Sequence, residues 1–416
     1  MPAPLCVTDV TLAGERVAVR CAEGRIEALG AGVRPQPGDD VVDGGGGPVV
    51  AGLVNGHTHA AMTLFRGRGG DLPLMRWLQE RIWPVEARLE AEDVYWGVRL
   101  ACLEMARSGV TRFWDMYWHP EATARAAADA GLRAVIGGPL IERGIEGGDL
   151  RDAARETIEA AAGVPGVTAS LAPHAIYTVG SESLRWIADQ ARESELPVQI
   201  HLSETEQEVE DCLAEHGHRP AAYLDACGLL GERTILAHGV GLDRAEMELI
   251  AERGSTVVTN PAANMKLAVG GAFSFPRARE AGVAVGLGTD GAGSNDSLDL
   301  FADTKLFALV QKHAAGDAEA ITAREAWDVA TGARAPALGA QPRLEPGAPA
   351  DFLILRTDAA ALVPGDLTEA LVYAASGSVV DTTVVAGRAV MRHGRIPDEE
   401  EILARAAERA ARLGLT

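Results

Sequence analysis

From residue 49 to residue 289 the chain repeats one texture eight times, a short apolar run followed by a longer stretch of helical periodicity. Short strands that alternate with helices pair in parallel, because each helix carries the chain back to the same end of the sheet. The apolar runs are 49–55, 111–117, 133–139, 167–173, 197–202, 234–238, 255–260 and 283–289. Helix starts are legible between them. Asp243 with Glu246, and Thr322 with Glu325, have the spacing at which two side chains satisfy each other's free backbone N–H groups. Gly109, Gly131, Gly254 and Gly282 stand where helices should stop. Eight units of this kind predict an α/β fold, a (β/α)8 TIM barrel over residues 51–340.

The two ends of the chain read differently. Residues 7–12, 16–20 and 25–29 alternate apolar and polar side chains, and Gly44–Gly47 closes the series. Residues 350–355, 379–385 and 388–392 repeat the pattern after the barrel, with Ala386-Gly387 as a turn, and 400–413 reads as a terminal helix. Residues 1–50 plus 341–416 are therefore expected to form one small β-sandwich domain beside the barrel.

Composition excludes several partners. A formal net charge of −21 disfavours nucleic acid, whose phosphates are met by Lys and Arg. No run of about 18 apolar residues suggests a membrane span. The first residues lack a basic stretch leading into an apolar one, so a cytoplasmic location is expected. Cys6, Cys21, Cys102, Cys212 and Cys227 are widely spaced and read as reduced, buried thiols. The only lysines are Lys266, Lys305 and Lys312.

In such barrels chemistry sits at the C-terminal ends of the strands. There the chain places His57 and His59 after the first strand and His174 after the fourth. His201 and Glu204 follow the fifth, His238 ends the sixth, and Asp290 follows the eighth. His216, His218, His313 and His393 read as ordinary surface or core residues, and His119, past strand two, is left open. An H-x-H pair alone says little, since alternate residues of a strand face one way. Joined to His201, His238 and Asp290 at separate strand ends, it points to a metal centre. Three imidazoles and a carboxylate (His57, His59, His201 and Asp290) suit one divalent ion, Zn2+ ahead of Fe2+, with a position left for water. No lysine lies near the end of strand four to bridge a second ion through a carboxylated side chain.

Four stretches carry a resemblance. Gly52-Leu53-Val54-Asn55-Gly56-His57-Thr58-His59 and His201-Leu202-Ser203-Glu204-Thr205 are two of them. The others are Asn260-Pro261-Ala262-Ala263-Asn264-Met265-Lys266-Leu267 and Gly288-Thr289-Asp290-Gly291-Ala292-Gly293-Ser294-Asn295. Over essentially its whole length the chain resembles the amidohydrolase superfamily, in particular the branch that deaminates S-adenosylhomocysteine, methylthioadenosine and 5′-deoxyadenosine. The resemblance implies that His57, His59, His201 and Asp290 hold the metal, that Glu204 shuttles protons, and that His238 hydrogen-bonds the attacking oxygen and the substrate. It also implies that the segment 72–86 covers the nucleoside, with Trp77 near the purine, Glu86 accepting the ribose hydroxyls and His174 near the sugar. Asp290 is expected to help His238 orient the attacking oxygen. A homo-oligomer is expected by the same analogy.

One departure bears on substrate. Members that accept S-adenosylhomocysteine carry arginines after strand three for its carboxylate, and Gly138 stands at one such position here. Arg143 and Arg151 are the candidates to substitute; otherwise a smaller 5′ group is favoured. Glu204 itself favours deamination over a triazine chlorohydrolase reaction, because ammonia leaves poorly unless protonated. The alternatives are the same chemistry on guanine, 8-oxoguanine, a pterin or cytosine, and a non-catalytic binding protein, against which the complete ligand set argues.

Overall fold

A computed structural model describes residues 3–68, 71–143 and 149–415. Eight parallel strands form two four-stranded arcs. The first arc runs Val167–Ala169, Arg133–Gly137, Val110–Met116, Leu53–Thr58. The second runs Val198–Leu202, Thr234–His238, Thr256–Thr259, Ala284–Leu287. Isolated parallel bridges, Leu171 to Val198 and Ala175 to His201, join the arcs on one side. On the other, the Asp290 N–H donates to the His57 carbonyl at 3.1 Å and the Asn55 amide brackets Thr289. Every strand expected from the sequence has a counterpart, and helices lie between them.

Three boundaries differ. Residues 49–55 are not one strand: Val49–Ala51 pairs antiparallel with Phe352–Leu355, and the barrel strand starts at Leu53. The break falls at Gly52, where an added Cβ would lie 2.4 Å from Thr111. Close approach of the two strands therefore requires glycine there. The third and fourth strands are each interrupted and resume as the short pair Pro139–Leu140 and Ala172–Pro173.

The chain ends build two more sheets. One has the order Asp40–Asp43, Leu5–Leu12, Glu15–Ala22, Arg25–Gly30, and the other Val49–Ala51, Phe352–Leu355, Val380–Val385, Arg388–Met391. Leu5, Val7, Val19 and Ile26 of the first share one buried cluster with Phe352, Ile354 and Val384 of the second, so the sheets pack face to face. Ala386 and Gly387 both have positive φ (49° and 71°), as a two-residue hairpin turn demands. Both capping boxes read from the sequence are present. All five cysteines are unpaired and buried. No described helix is long and apolar enough to cross a membrane.

Candidate active site

The strand ends deliver the predicted side chains to one place. His57, at the end of the Leu53–Thr58 strand, is fully buried, and His59 follows it into the barrel mouth. His201 belongs to Val198–Leu202, His238 ends Thr234–His238, and Asp290 lies three residues past Leu287. His57, His59 and Asp290 offer ligand atoms within 4.8 Å of one another, and so do His57, His201 and His238. The two groups share His57, and one of them contains His238 beside residues expected to be ligands.

Hydrogen bonds on the far side of each ring set which nitrogen faces inward. His59 Nδ1–H donates to the Met116 carbonyl at 2.6 Å, and His201 Nδ1–H to the His174 carbonyl at 2.7 Å. Their Nε2 atoms then face each other, 3.4 Å apart. Two imidazole lone pairs at that separation repel unless a proton or a cation lies between them. Asp290 Oδ1 stands 3.2 Å from His59 Nε2 and 3.6 Å from His57 Nε2. Ser294 Oγ donates to Asp290 Oδ2 at 2.5 Å, which leaves Oδ1 for the centre. Both ring nitrogens of His57 are buried without a hydrogen-bond partner. Orphaned buried nitrogens, converging lone pairs and one anionic oxygen are the donor set that a divalent cation satisfies.

Electrostatics agree. Burial and the neighbouring imidazoles hold His57 and His201 well below the usual histidine value, so both are neutral. Burial likewise lowers His174, to about 4. Burial also opposes charge on His59, but Asp290 outweighs it and raises that ring to about 9. A cation at this point would therefore compete with a proton.

Glu204 is buried beside this cluster, its Oε1 3.9 Å from His238 Nδ1. Burial pushes its carboxyl up, with the His238 charge opposing. His238 Nδ1–H donates to Asn264 Oδ1 at 2.8 Å, which turns Nε2 toward His57 and His201. Gly288 admits no side chain: a Cβ there would meet Asn260 Oδ1 at 2.3 Å and the His57 carbonyl at 2.8 Å.

A cleft opens above this centre, with His59, Glu204, His238 and Asp290 at its floor. Trp77, Glu86 and His174 line its walls. The Trp77 indole is 3 % exposed and its N–H has no partner. Tyr117 donates its hydroxyl to Glu86 Oε1 at 2.8 Å, and burial pushes the Glu86 carboxyl up. His174 Nδ1 contacts Thr178 Oγ1 at 3.1 Å.

Neither candidate arginine reaches the cleft. Arg143 approaches Glu215 (3.7 Å) and Arg151 lies over the Trp186 ring (5.5 Å). Among the described residues no Lys or Arg lines the cleft. His119 pairs with Glu121 outside it. Tyr117, Asn264, Ser294 and Glu208, which bonds the backbone of Glu204, were not singled out from the sequence. Asn264 and Ser294 do fall inside the matching stretches, and that was the available signal.

Residues 49–390 match the model of the amidohydrolase family. The chain is 47 % identical over 402 residues to a 5′-deoxyadenosine deaminase of Methanoregula boonei, covering 94 % of this chain and 91 % of that one. It is 44 % identical over 385 residues to a 5-methylthioadenosine/S-adenosylhomocysteine deaminase of Haloarcula marismortui, covering 90 % and 89 %. Among solved structures, an adenosine deaminase from Xanthomonas campestris with bound zinc superposes with a TM-score of 0.93 at 33 % identity, covering 100 % of this chain and 99 % of that one.

Proposed function

This chain belongs to the amidohydrolase family, and we propose that it hydrolyses the 6-amino group of a 5′-modified adenosine, giving the inosine analogue and ammonia. The observation that carries the reading is the clustering of His59, His201, His238 and the Asp290 carboxylate around the buried His57, beside the buried Glu204, at the floor of a cleft. His57, His59, His201 and Asp290 would hold a single divalent ion, and the nitrogen-rich donor set favours Zn2+ over Fe2+. Such an ion, when bound, draws the pKa of a water toward neutrality.

The chain's own groups supply the proton traffic. Glu204 accepts a proton from the attacking water and delivers it to N1 of the purine, which makes C6 electrophilic. A second transfer through Glu204 carries the remaining proton of the oxygen now bonded to C6 to the amine, so the C6–N bond breaks, ammonia leaves and C6 becomes a carbonyl. His238 and Asp290 orient the attacking oxygen. Trp77 packs near the purine, Glu86 accepts the ribose hydroxyls and His174 faces the sugar.

The walls of the cleft favour an uncharged 5′ group. Leu74, Leu78, Ile141 and Tyr177 are among its lining residues, and no cationic side chain of the described residues stands there to meet a carboxylate. We therefore rank 5′-deoxyadenosine, methylthioadenosine and adenosine above S-adenosylhomocysteine. Five unpaired buried thiols suit the reducing cytoplasm. We also take residues 1–50 plus 341–416 as a supporting domain and 51–340 as the catalytic barrel.

An ammonia-release screen over these nucleosides and guanine tests the reading, with Glu204→Gln as control. We expect the variant to lose at least about 10²-fold in kcat while keeping its metal. A kcat/KM for guanine about tenfold above that for the best adenosine would overturn the substrate assignment.

A further inference from the structure

The proton-carrying role proposed for Glu204 requires its carboxylate to be held in one orientation, and the side chain itself is not what fixes the turn it stands on. Ser203, the residue before it, has φ +49°, a left-handed conformation that costs a non-glycine residue energy. Among the described residues the buried Ser203 hydroxyl has no hydrogen-bond partner, so it does not stabilise the turn. The Ser203 carbonyl accepts from the Gly241 N–H at 2.8 Å, which leaves the two amide N–H groups of Ser203 and Glu204 to be accounted for.

Both are taken by one carboxylate. Glu208 Oε1 accepts from the Ser203 N–H and Glu208 Oε2 from the Glu204 N–H, each at 2.9 Å. Glu208 is the third residue of the helix Glu206–His216, whose first turn is capped by Thr205 Oγ1. In that position a glutamate normally returns to the N–H of its own cap residue. Here it passes the cap and reaches the strand end. Its side chain is buried, and burial pushes its carboxyl up to about 7, a cost that helix capping alone does not require.

We propose that Glu208 is a positioning residue for the deamination: its two oxygens grip consecutive backbone N–H groups and lock the left-handed turn that aims Glu204 into the cleft. The inference rests on Glu204 being the proton carrier. A glutamine at 208 keeps the volume but replaces one acceptor oxygen with an amide donor, so one of the two bonds is lost.

The test is a double-mutant cycle in the metal-loaded enzyme, with metal content and KM measured beside kcat. Glu208→Gln is expected to lower kcat by about tenfold to a hundredfold, with KM and metal content within about threefold of wild type. In a Glu204→Gln background the same change should cost nothing further, because there is no longer a carrier to aim. A second variant, Ser203→Gly/Glu208→Gln, is expected to regain at least about threefold in kcat over Glu208→Gln, since glycine adopts the turn without a clamp. Normal kcat in Glu208→Gln, costs that multiply in the double variant, metal loss parallel to activity loss, or no recovery with Ser203→Gly would each overturn the inference. Normal kcat in Glu204→Gln would instead overturn the proton-carrier reading, and the inference with it.

Discussion

Removing the hydroxyl of Tyr117 tests the proposal that Glu86 reads the sugar. That hydroxyl donates to Glu86 Oε1 at 2.8 Å, and both groups face the cleft. A hydrogen bond to a charged carboxylate contributes about 1.5–3 kcal/mol. Among the described residues the Tyr117 hydroxyl makes no other hydrogen bond, so the loss should fall on the Glu86 contact. If Glu86 accepts the ribose hydroxyls, Tyr117→Phe releases its carboxylate from a fixed orientation. At 1.4 kcal/mol per decade, kcat/KM for 5′-deoxyadenosine should then fall by about tenfold to 150-fold. The assay is steady-state ammonia release with two substrates, 5′-deoxyadenosine and its analogue lacking the 2′ and 3′ hydroxyls. The analogue has nothing for Glu86 to bind, so its kcat/KM should change by less than about threefold. Equal losses on both substrates would refute the assignment of Glu86 to the ribose. A change under about threefold on 5′-deoxyadenosine would refute the account of Tyr117 as its orienting donor.

Two further outcomes follow from the site and its surroundings. Stripping the metal should lower the thermal midpoint, because a cation binds the converging ligands of the folded chain and not their dispersed counterparts in the unfolded one. At a thousandfold excess over Kd the linkage is about 4 kcal/mol, and about 2 cal/mol/K per residue over 416 residues converts it to roughly 5 °C; a midpoint indifferent to chelator and to added Zn2+ would count against the centre. Asp303 gives a pH test: burial raises its carboxyl to about 7, against the pull of the Asn295 amide and the Ala262 N–H. The folded chain then binds a proton that the unfolded one does not between about pH 4 and 7, so this group's contribution to stability falls as pH rises through that window. Relative to Asp303→Asn, the wild type should therefore gain stability as pH is lowered from 7 to 5, and chemical denaturation at both pH values with parallel curves for the two proteins would contradict it.

The part of this molecule legible in the sequence is the part written in residue type. Apolar runs at barrel spacing, and histidines at their ends, carry meaning wherever they stand, so the strands and the residues of the histidine–aspartate cluster could be located. Boundaries failed where a single contact decides them. Gly52 splits the first run because Thr111, far along the chain, leaves no room for a Cβ. The edge strand Asp40–Asp43 went unseen because it is short, begins and ends in aspartate, and has one exposed valine.

The same distinction runs through the site. What makes His59 and His201 point their Nε2 atoms inward is a pair of backbone carbonyls, Met116 and His174, and every residue has a carbonyl. Tyr117 reads as one more aromatic beside Trp118, and Glu208 as one more acidic residue in the first turn of a helix rich in them. Both become functional candidates only through a bond to a second residue, Glu86 in one case and the Glu204 backbone in the other. Residue type thus nominates the groups that meet the substrate, while the groups that aim them are defined by pairing. A variant such as Glu208→Gln probes that second layer, since it alters a pairing while leaving every nominated group in place.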